Sequence, residues 1–130
     1  MNLLLDTHIF LWYVSSDARL PTRHRDSIRD PGNQVHLSVA SVWETVIKHS
    51  LGKLALPQPP AVYMPQQRQA HRIDSLPIEE GPLIELANLP LLHRDPFDRM
   101  LVAQAIHYGL TILTVDPLLE AYPVPVLSSS

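Results

Sequence analysis

The chain has 130 residues, which is enough for one hydrophobic core and too few for two domains of ordinary size. An apolar fraction of 45% excludes wholesale disorder, and the lack of cysteine excludes disulfides and thiolate zinc sites. The formal net charge of −3 gives no general attraction to nucleic acid, so local basic groups or a metal ion must meet any phosphate. We expect a single domain over residues 1–130.

The N-terminal residues do not have the pattern of a signal peptide. No basic stretch precedes the first apolar run, and Asp6 interrupts that run. No apolar run approaches the roughly 20 residues that a membrane-spanning helix needs. We therefore expect a cytoplasmic protein with no membrane partner.

The predicted elements alternate between strands and helices. In the first half they are strand 2–6, apolar helix 7–14, polar helix 23–29, strand 34–37 and amphipathic helix 39–51. After a proline-rich connection, 53–60, they are helix 65–72, a strand within 73–78, helix 79–89, loop 91–96, helix 97–108, strand 111–115, helix 117–121 and strand 124–127. Short apolar strands that alternate with helices indicate an α/β fold with a parallel sheet covered on both faces.

Four carboxylates lie at the ends of predicted strands or the starts of predicted helices. Asp6 and Asp116 end apolar runs, while Glu44 and Asp98 lie in the first turns of two predicted helices. Strand ends and helix starts of an α/β fold meet at one crevice, where four acids repel each other unless a cation lies among them. Oxygen ligands of this kind suit Mg²⁺ or Mn²⁺, which can activate water and offset charge on a phosphate. The pattern indicates a metal-dependent phosphodiesterase.

Each of these acids also has a structural explanation when it is considered alone. Asp6 and Asp116 can cap the helices that follow them, and Asp98 suits the positive end of a helix dipole. Glu44 follows Ser41 by three residues, which is the spacing of a capping box. The combination of all four acids, rather than any one of them, favours a metal site.

Nearby polar residues have two possible roles each. Thr7 and Thr114 could orient water at the site, and ordinary cap and strand propensity explains them equally well. His93 and Arg94 could contact phosphate or order the loop that holds them. His8 could reach the crevice, but a packing or capping role is favoured.

Aromatic and basic residues elsewhere are assigned more simply. Trp12 and Trp43 lie on apolar stripes and are expected in the core, although partial exposure of Trp12 would indicate a partner groove. Arg68, Arg72 and Arg99 are candidates for contacts with a substrate or partner, with solvated surface as the default.

Four sequence blocks resemble the PIN-domain ribonucleases, in particular VapC-like toxins of bacterial toxin–antitoxin pairs. The resemblance covers nearly the whole chain in order. The blocks are Leu3-Leu4-Leu5-Asp6-Thr7-His8 with Leu11-Trp12, Ser38-Val39-Ala40-Ser41-Val42-Trp43-Glu44 with Lys48 and Gly52-Lys53-Leu54, His93-Arg94-Asp95-Pro96-Phe97-Asp98-Arg99 continuing to Ala105, and Leu113-Thr114-Val115-Asp116.

The resemblance implies a three-layer α/β/α sandwich around a central parallel sheet of four to five strands. It also implies Mg²⁺- or Mn²⁺-dependent endoribonuclease activity, an RNA substrate, a cognate antitoxin and a homodimer. Asp6, Glu44, Asp98 and Asp116 would be the catalytic, metal-binding acids. Asp95 would be a cap or supporting residue in the Asp-Pro-Phe-Asp pattern.

Smaller features of the resemblance concern single positions. Thr114 matches the family's hydroxyl residue two positions before the last acid. His8 stands where many relatives carry Asn or Ser, and Met64-Pro65 interrupts a region that is usually an unbroken helix. None of these departures removes an acid.

Two other functions remain open from the sequence. The chain could be a PIN-like module that binds RNA or protein without cleavage, its acids serving only as caps. An acid-pocket phosphotransferase or phosphatase would need a lysine near a strand end, and neither Lys48 nor Lys53 is placed there.

Overall fold

The computed structural model describes residues 1–127, in which a five-stranded, all-parallel sheet has the order β3-β2-β1-β4-β5. The strands are β1 Asn2–Leu5, β2 Gln34–Ser38, β3 Asp74–Leu76, β4 Thr111–Leu113 and β5 Val126–Leu127. The helices are α1 Thr7–Val14, α2 Thr22–Arg29, α3 Val39–Ser50, α4 Pro60–Ala70, α5 Pro82–Asn88, α6 Pro96–Tyr108 and α7 Pro117–Glu120. No helix among these residues is long and apolar enough to cross a membrane.

The sheet separates two apolar clusters. Along β1, Leu3 and Leu5 belong to one cluster and Leu4 belongs to the other, because successive side chains of a strand point to opposite faces. Residues of α1, α2 and α4 complete the first cluster, and residues of α6 and α7 complete the second. The predicted three-layer α/β/α sandwich is confirmed.

The strand order creates a crevice at the centre of the sheet. From β1 the chain adds β2 and β3 on one side and later adds β4 and β5 on the other. The connections that leave the carboxyl ends of β1 and β4 therefore diverge, which is where α/β folds bind ligands. Asp6 directly follows β1, and Asp116 comes shortly after β4.

Helices α2 and α6 begin one residue before the predicted starts, and two other helices differ by more. Helix α4 begins at Pro60 rather than at 65, with Pro60 in the first turn, where a missing N–H costs nothing. It continues through Pro65 because Tyr63 and Met64 are buried against the first cluster. Helix α5 begins at Pro82 rather than at 79, again with proline in the first turn.

Helix α3 has a different buried face from the one predicted. Its buried residues are Ala40, Ser41, Glu44 and Thr45, so its polar side faces the molecule. Trp43 is 56% exposed, and its predicted place in the core is wrong. The apolar spacing of α3 predicted the helix correctly but predicted the wrong buried face. The polar side chains of α3 turn inward because they find hydrogen-bond partners inside the protein.

Candidate metal centre

A cleft of about 450 Å³ opens at the crevice between the ends of β1 and β4. It holds all four acids of the predicted site together with Asp95. The full set of lining residues is Asp6, His8, Trp12, Arg19, Glu44, Lys48, His93, Asp95, Asp98, Val115 and Asp116.

Asp6 is held at the cleft floor by a bond across the sheet. Its side chain is buried and forms no capping hydrogen bond to α1 within the described residues. Instead it accepts a 2.7 Å hydrogen bond from the Thr114 hydroxyl. The same Thr114 oxygen accepts from the backbone N–H of Asp116 at 2.9 Å. Burial raises the pKa of Asp6, and the bond from Thr114 opposes that rise.

Glu44 is buried in the second turn of α3, and the capping box proposed for it is wrong. The cap of α3 is Ser38, whose hydroxyl accepts from the N–H of Ala40 at 3.0 Å. The Thr7 hydroxyl lies 2.7 Å from Glu44 Oε1, and Lys48 Nζ forms a salt bridge with Oε2. Burial alone would lower the pKa of Lys48, but the hydrogen bond and attraction to Glu44 outweigh it and raise that pKa.

The remaining acids stand at helix starts. Asp95 caps α6, since its Oδ1 accepts from the backbone N–H of Phe97 at 2.8 Å. Asp116 caps α7 by accepting from the N–H of Leu118 at 2.9 Å. Asp98, in the first turn of α6, is mostly buried and is not itself the cap. The cap role expected for Asp95 is therefore observed, while the carboxylate of Asp98 does not cap the helix.

Asp98 has a strongly raised pKa in the cleft. Burial raises its pKa to about 8, and repulsion by Asp6, Asp95, Glu44 and Asp116 adds to that rise. A divalent cation in the cleft would offset the same repulsion and so favour the ionised carboxylate.

His93 joins the acids from the loop before α6. Its Nε2 lies 2.9 Å from Asp98 Oδ2 and 3.5 Å from Asp116 Oδ2. Its Nδ1 accepts a 3.2 Å hydrogen bond from the backbone N–H of Asp95. Its own backbone N–H donates to the Tyr122 hydroxyl at 2.8 Å. The sequence left a loop-ordering role and a site role equally open for His93, and the structure gives it both kinds of contact.

The donor set of the cleft fits a hard divalent cation. Potential ligand atoms of His93, Asp98 and Asp116 all lie within 4.8 Å of one another. Carboxylate oxygens are the ligands that Mg²⁺ and Mn²⁺ prefer. Among the described residues that line the cleft, the basic side chains are Lys48 and Arg19. Lys48 already pairs with Glu44, so the acids keep an excess of negative charge.

Three arginines that the sequence offered as candidates do not line this cleft. Arg99 instead donates to the carbonyl of Pro90 and to the Tyr122 hydroxyl, and so braces the loop before α6. Arg68 donates to the carbonyl of Ile73. Arg72 takes a positive φ of 56° at the end of α4. Lys48 does line the cleft, and its position four residues after Glu44 was the signal in the sequence for their salt bridge.

A second groove of about 350 Å³ adjoins the acidic cleft. His8, Trp12 and Arg19 line both spaces. The Arg19 guanidinium lies 5.2 Å from the Trp12 ring centroid and is held by Asp17 through two hydrogen bonds. Trp12 is only partly buried, and partial exposure of this aromatic side chain indicates a partner groove. The rest of the groove is mainly apolar, with Leu11, Leu54, Ala55, Leu56, Pro57 and Tyr63.

Comparison with known proteins agrees with this architecture. The family model described as PIN domain matches residues 3–124. Ribonuclease VapC16 of Mycobacterium tuberculosis is 44% identical over 43 residues, a match that spans 33% of this chain and 30% of that protein.

Solved structures share the fold over nearly their whole length. VapBC2 from Rickettsia felis, bound to a DNA fragment from its promoter, gives a TM-score of 0.70 at 14% identity, with 98% of both chains covered. DNA-bound VapBC from Salmonella typhimurium gives a TM-score of 0.70 at 15% identity, with 100% of this chain and 99% of that chain covered. The resemblance seen in the sequence motifs is confirmed, and the chain belongs to the PIN-domain family.

Proposed function

We propose that this protein is a metal-dependent endoribonuclease and the toxin of a toxin–antitoxin pair. One observation carries the proposal: acids that follow β1 and β4 meet acids from α3 and α6 in a single cleft. Asp6 in particular is not used as a cap and is buried beside other acids, an arrangement that a purely structural role does not explain.

The proposed roles follow from where each acid is held. When bound, Mg²⁺ or Mn²⁺ supplies charge neutralisation at the scissile phosphate and lowers the pKa of a water molecule. Asp6 and Asp116, which the Thr114 hydroxyl connects, orient the attacking water for in-line attack. Glu44 and Asp98 complete the ligand set. Cleavage in this sense leaves a 5′-phosphate and a 3′-hydroxyl.

Threonine hydroxyls support the acids in this scheme. Thr7 donates toward Glu44, and Thr114 donates to Asp6. Each bond fixes the direction of a carboxylate before substrate arrives, and such preorganisation is a major source of catalytic power. Asp95 supports the site indirectly, because it caps the helix that carries Asp98.

A protein partner is the second part of the proposal. The apolar groove beside the cleft would receive an antitoxin segment, whose end would reach the acids past the shared residues His8, Trp12 and Arg19. The VapBC complexes of similar fold support this assignment. A homodimer is also expected, as the resemblance to VapC-like toxins implies.

Cleavage of a labelled RNA pool tests the enzymatic proposal directly. We expect cleavage by wild type with Mg²⁺ or Mn²⁺, loss of cleavage with a chelator, and recovery when metal is returned. Asp6→Asn should lose cleavage while its melting temperature stays at or above that of wild type. Asp26→Asn, an exposed change on α2, is the matched control and should cleave like wild type.

The alternative function is a module of this fold that binds RNA or protein without cleaving it. Well-folded wild type that binds RNA, and never cleaves it with either metal, would favour this alternative. A large fall in the melting temperature of Asp6→Asn would instead support a capping role for Asp6.

A further inference from the structure

The hydrogen bonds around His93 determine which of its ring nitrogens carries the proton. The backbone N–H of Asp95 points at Nδ1 across 3.2 Å, and a backbone N–H can only donate. Nδ1 is therefore the bare acceptor. In the neutral ring the proton then lies on Nε2, the nitrogen that faces Asp98 and Asp116.

This proton position conflicts with a role for His93 as a metal ligand. A ligating nitrogen must offer a lone pair, and a histidine that binds metal donates its other N–H to an acceptor. Here the other nitrogen, Nδ1, already accepts from the Asp95 backbone, so Nε2 approaches Asp98 with a hydrogen. In this arrangement the three side chains lie within 4.8 Å of one another because Nε2 faces one oxygen of each acid, at 2.9 Å from Asp98 and 3.5 Å from Asp116.

We infer that His93 is a positioning residue whose Nε2–H holds the carboxylates of Asp98 and Asp116 together from outside the metal. This inference rests on the proposed function. The 2.9 Å contact fixes Oδ2 of Asp98, and the 3.5 Å contact brings Asp116 toward the same donor. Asp116 is also held through Oδ1 by the N–H of Leu118, so opposite sides of its carboxylate are oriented.

The surroundings of His93 suit this role. Its side chain is only 16% exposed, and its backbone is tied to Tyr122, which also receives a hydrogen bond from Arg99. The His93 backbone is therefore tied to Tyr122, the ring is held at Nδ1 by the Asp95 N–H, and Nε2 faces the acids. Such outer donors typically change metal affinity or activity by about tenfold to a hundredfold when they are lost.

The first test measures the tautomer of the His93 ring and whether the ring binds the metal. In metal-free wild type with nitrogen-15-labelled histidine, two-bond correlation spectra should show His93 as the Nε2–H form. In the Mn²⁺-loaded protein, pulsed electron paramagnetic resonance should show no histidine nitrogen bonded directly to the metal. An Nδ1–H ring, or a directly bonded histidine nitrogen that disappears in His93→Gln, would overturn the inference.

A pair of variants then separates the role of Nε2, which faces the acids, from that of Nδ1, which contacts the Asp95 backbone. The amide nitrogen of Gln in His93→Gln can take the place of Nε2, whereas the amide of Asn in His93→Asn reaches only the place of Nδ1. We expect His93→Gln to keep Mn²⁺ affinity within a few-fold of wild type and His93→Asn to lose about tenfold or more. Equal affinities in wild type and His93→Asn, both folded by thermal melting, would contradict a positioning role.

Failure of the proposed function gives a different result. If folded wild type binds no Mn²⁺, the metal-nuclease proposal fails, and His93 loses the role assigned to it while the ring spectrum still reports its tautomer. If wild type binds Mn²⁺ and cleaves RNA but the His93 variants follow the opposite order, only the inference about His93 fails.

Discussion

The acids of the cleft fall into an inner pair, Asp6 and Glu44, and an outer pair, Asp98 and Asp116, which are held in different ways. Each inner acid is nearly fully buried and takes a hydroxyl bond from a residue distant in sequence, Thr114 or Thr7. Each outer acid stands at a helix start, and the two share His93. The side chain of Asp116 is 32% exposed.

This difference indicates that the two pairs contribute differently to cleavage and to stability. The inner pair is fixed by the fold, because its donors come from elements on the far side of the crevice. In the outer pair, Asp116 caps α7, Asp98 stands in the first turn of α6, which Asp95 caps, and both face His93 from the loop before α6. We expect changes to the inner pair to lower the rate of RNA cleavage most, and changes to the helix caps to lower mainly the free energy of unfolding.

The largest expected effect comes from neutralising an inner acid. Glu44→Gln keeps the shape of the side chain, and the Thr7 hydroxyl can still donate to its oxygen. We expect RNA cleavage to fall by more than about a hundredfold, because even outer supporting residues cost about ten- to a hundredfold. Cleavage rates with saturating Mn²⁺ test this, with exposed Glu80→Gln as the control. Near-normal cleavage by Glu44→Gln would remove Glu44 from the site.

The next effect concerns the hydroxyl that joins the inner and outer pairs. Thr114→Val removes the donor to Asp6 and the acceptor for the Asp116 N–H while keeping the volume. We expect Mn²⁺ affinity to fall by about tenfold to a hundredfold. Thr114→Ser retains the hydroxyl and should stay close to wild type in calorimetry. Equal losses in both variants would indicate that packing, not the hydroxyl, matters at this position.

A smaller effect is a pH dependence of stability in the metal-free protein. Burial and repulsion by neighbouring acids raise the pKa of Asp98 from its ordinary value of 3.8 to about 8 in the folded protein, so the folded state binds more protons between these pH values. The contribution of Asp98 to stability is therefore complete below pH 4 and is lost as the pH rises toward 8.

Asp98→Asn should remove that dependence. We expect the variant to be more stable than wild type near pH 8 in the presence of chelator, by roughly 1 kcal/mol or more, since one pKa unit corresponds to about 1.4 kcal/mol. Chemical unfolding at several pH values measures it. A wild type that gains stability from pH 4 to 8 relative to the variant would contradict the assigned direction.

The smallest effect is expected at the cap of α6. Asp95→Ala removes the acceptor for the N–H groups of Phe97 and Asp98, which should cost about 1 kcal/mol of unfolding free energy. Asp95→Asn retains an acceptor oxygen and should lose less. Cleavage should fall far less than in Glu44→Gln. A cleavage loss as large as that of Glu44→Gln would place Asp95 among the metal ligands.

The helix starts that carry the outer pair could be predicted from sequence more completely than the contacts of the inner pair. The adjacent residues Asp95-Pro96 and Asp116-Pro117 predict helix caps from local sequence alone, and both caps are observed. The elements and the parallel sheet also follow local periodicity, since residues that alternate or recur at helical spacing reveal the buried side. Helix starts at Pro60 and Pro82 were missed because proline can open a helix as well as break one.

The inner pair depended on information that is not local. The bond from Thr114 to Asp6 joins residues 108 positions apart, and no pattern along the chain specifies it. The same limitation explains Trp43, because the polar partners of α3 decide which face turns inward. His93 was visible in the sequence only as a residue near an acid, since its tautomer depends on the loop geometry.

The proposed metal centre can be tested by calorimetric titration of Mn²⁺ into wild type and into the double variant Asp6→Asn with Asp98→Asn, with RNA cleavage measured on the same samples. We expect wild type to bind Mn²⁺ and cleave RNA, and the double variant to lose both while it still melts cooperatively. Absence of Mn²⁺ binding by well-folded wild type would contradict the claim that these acids form a metal centre.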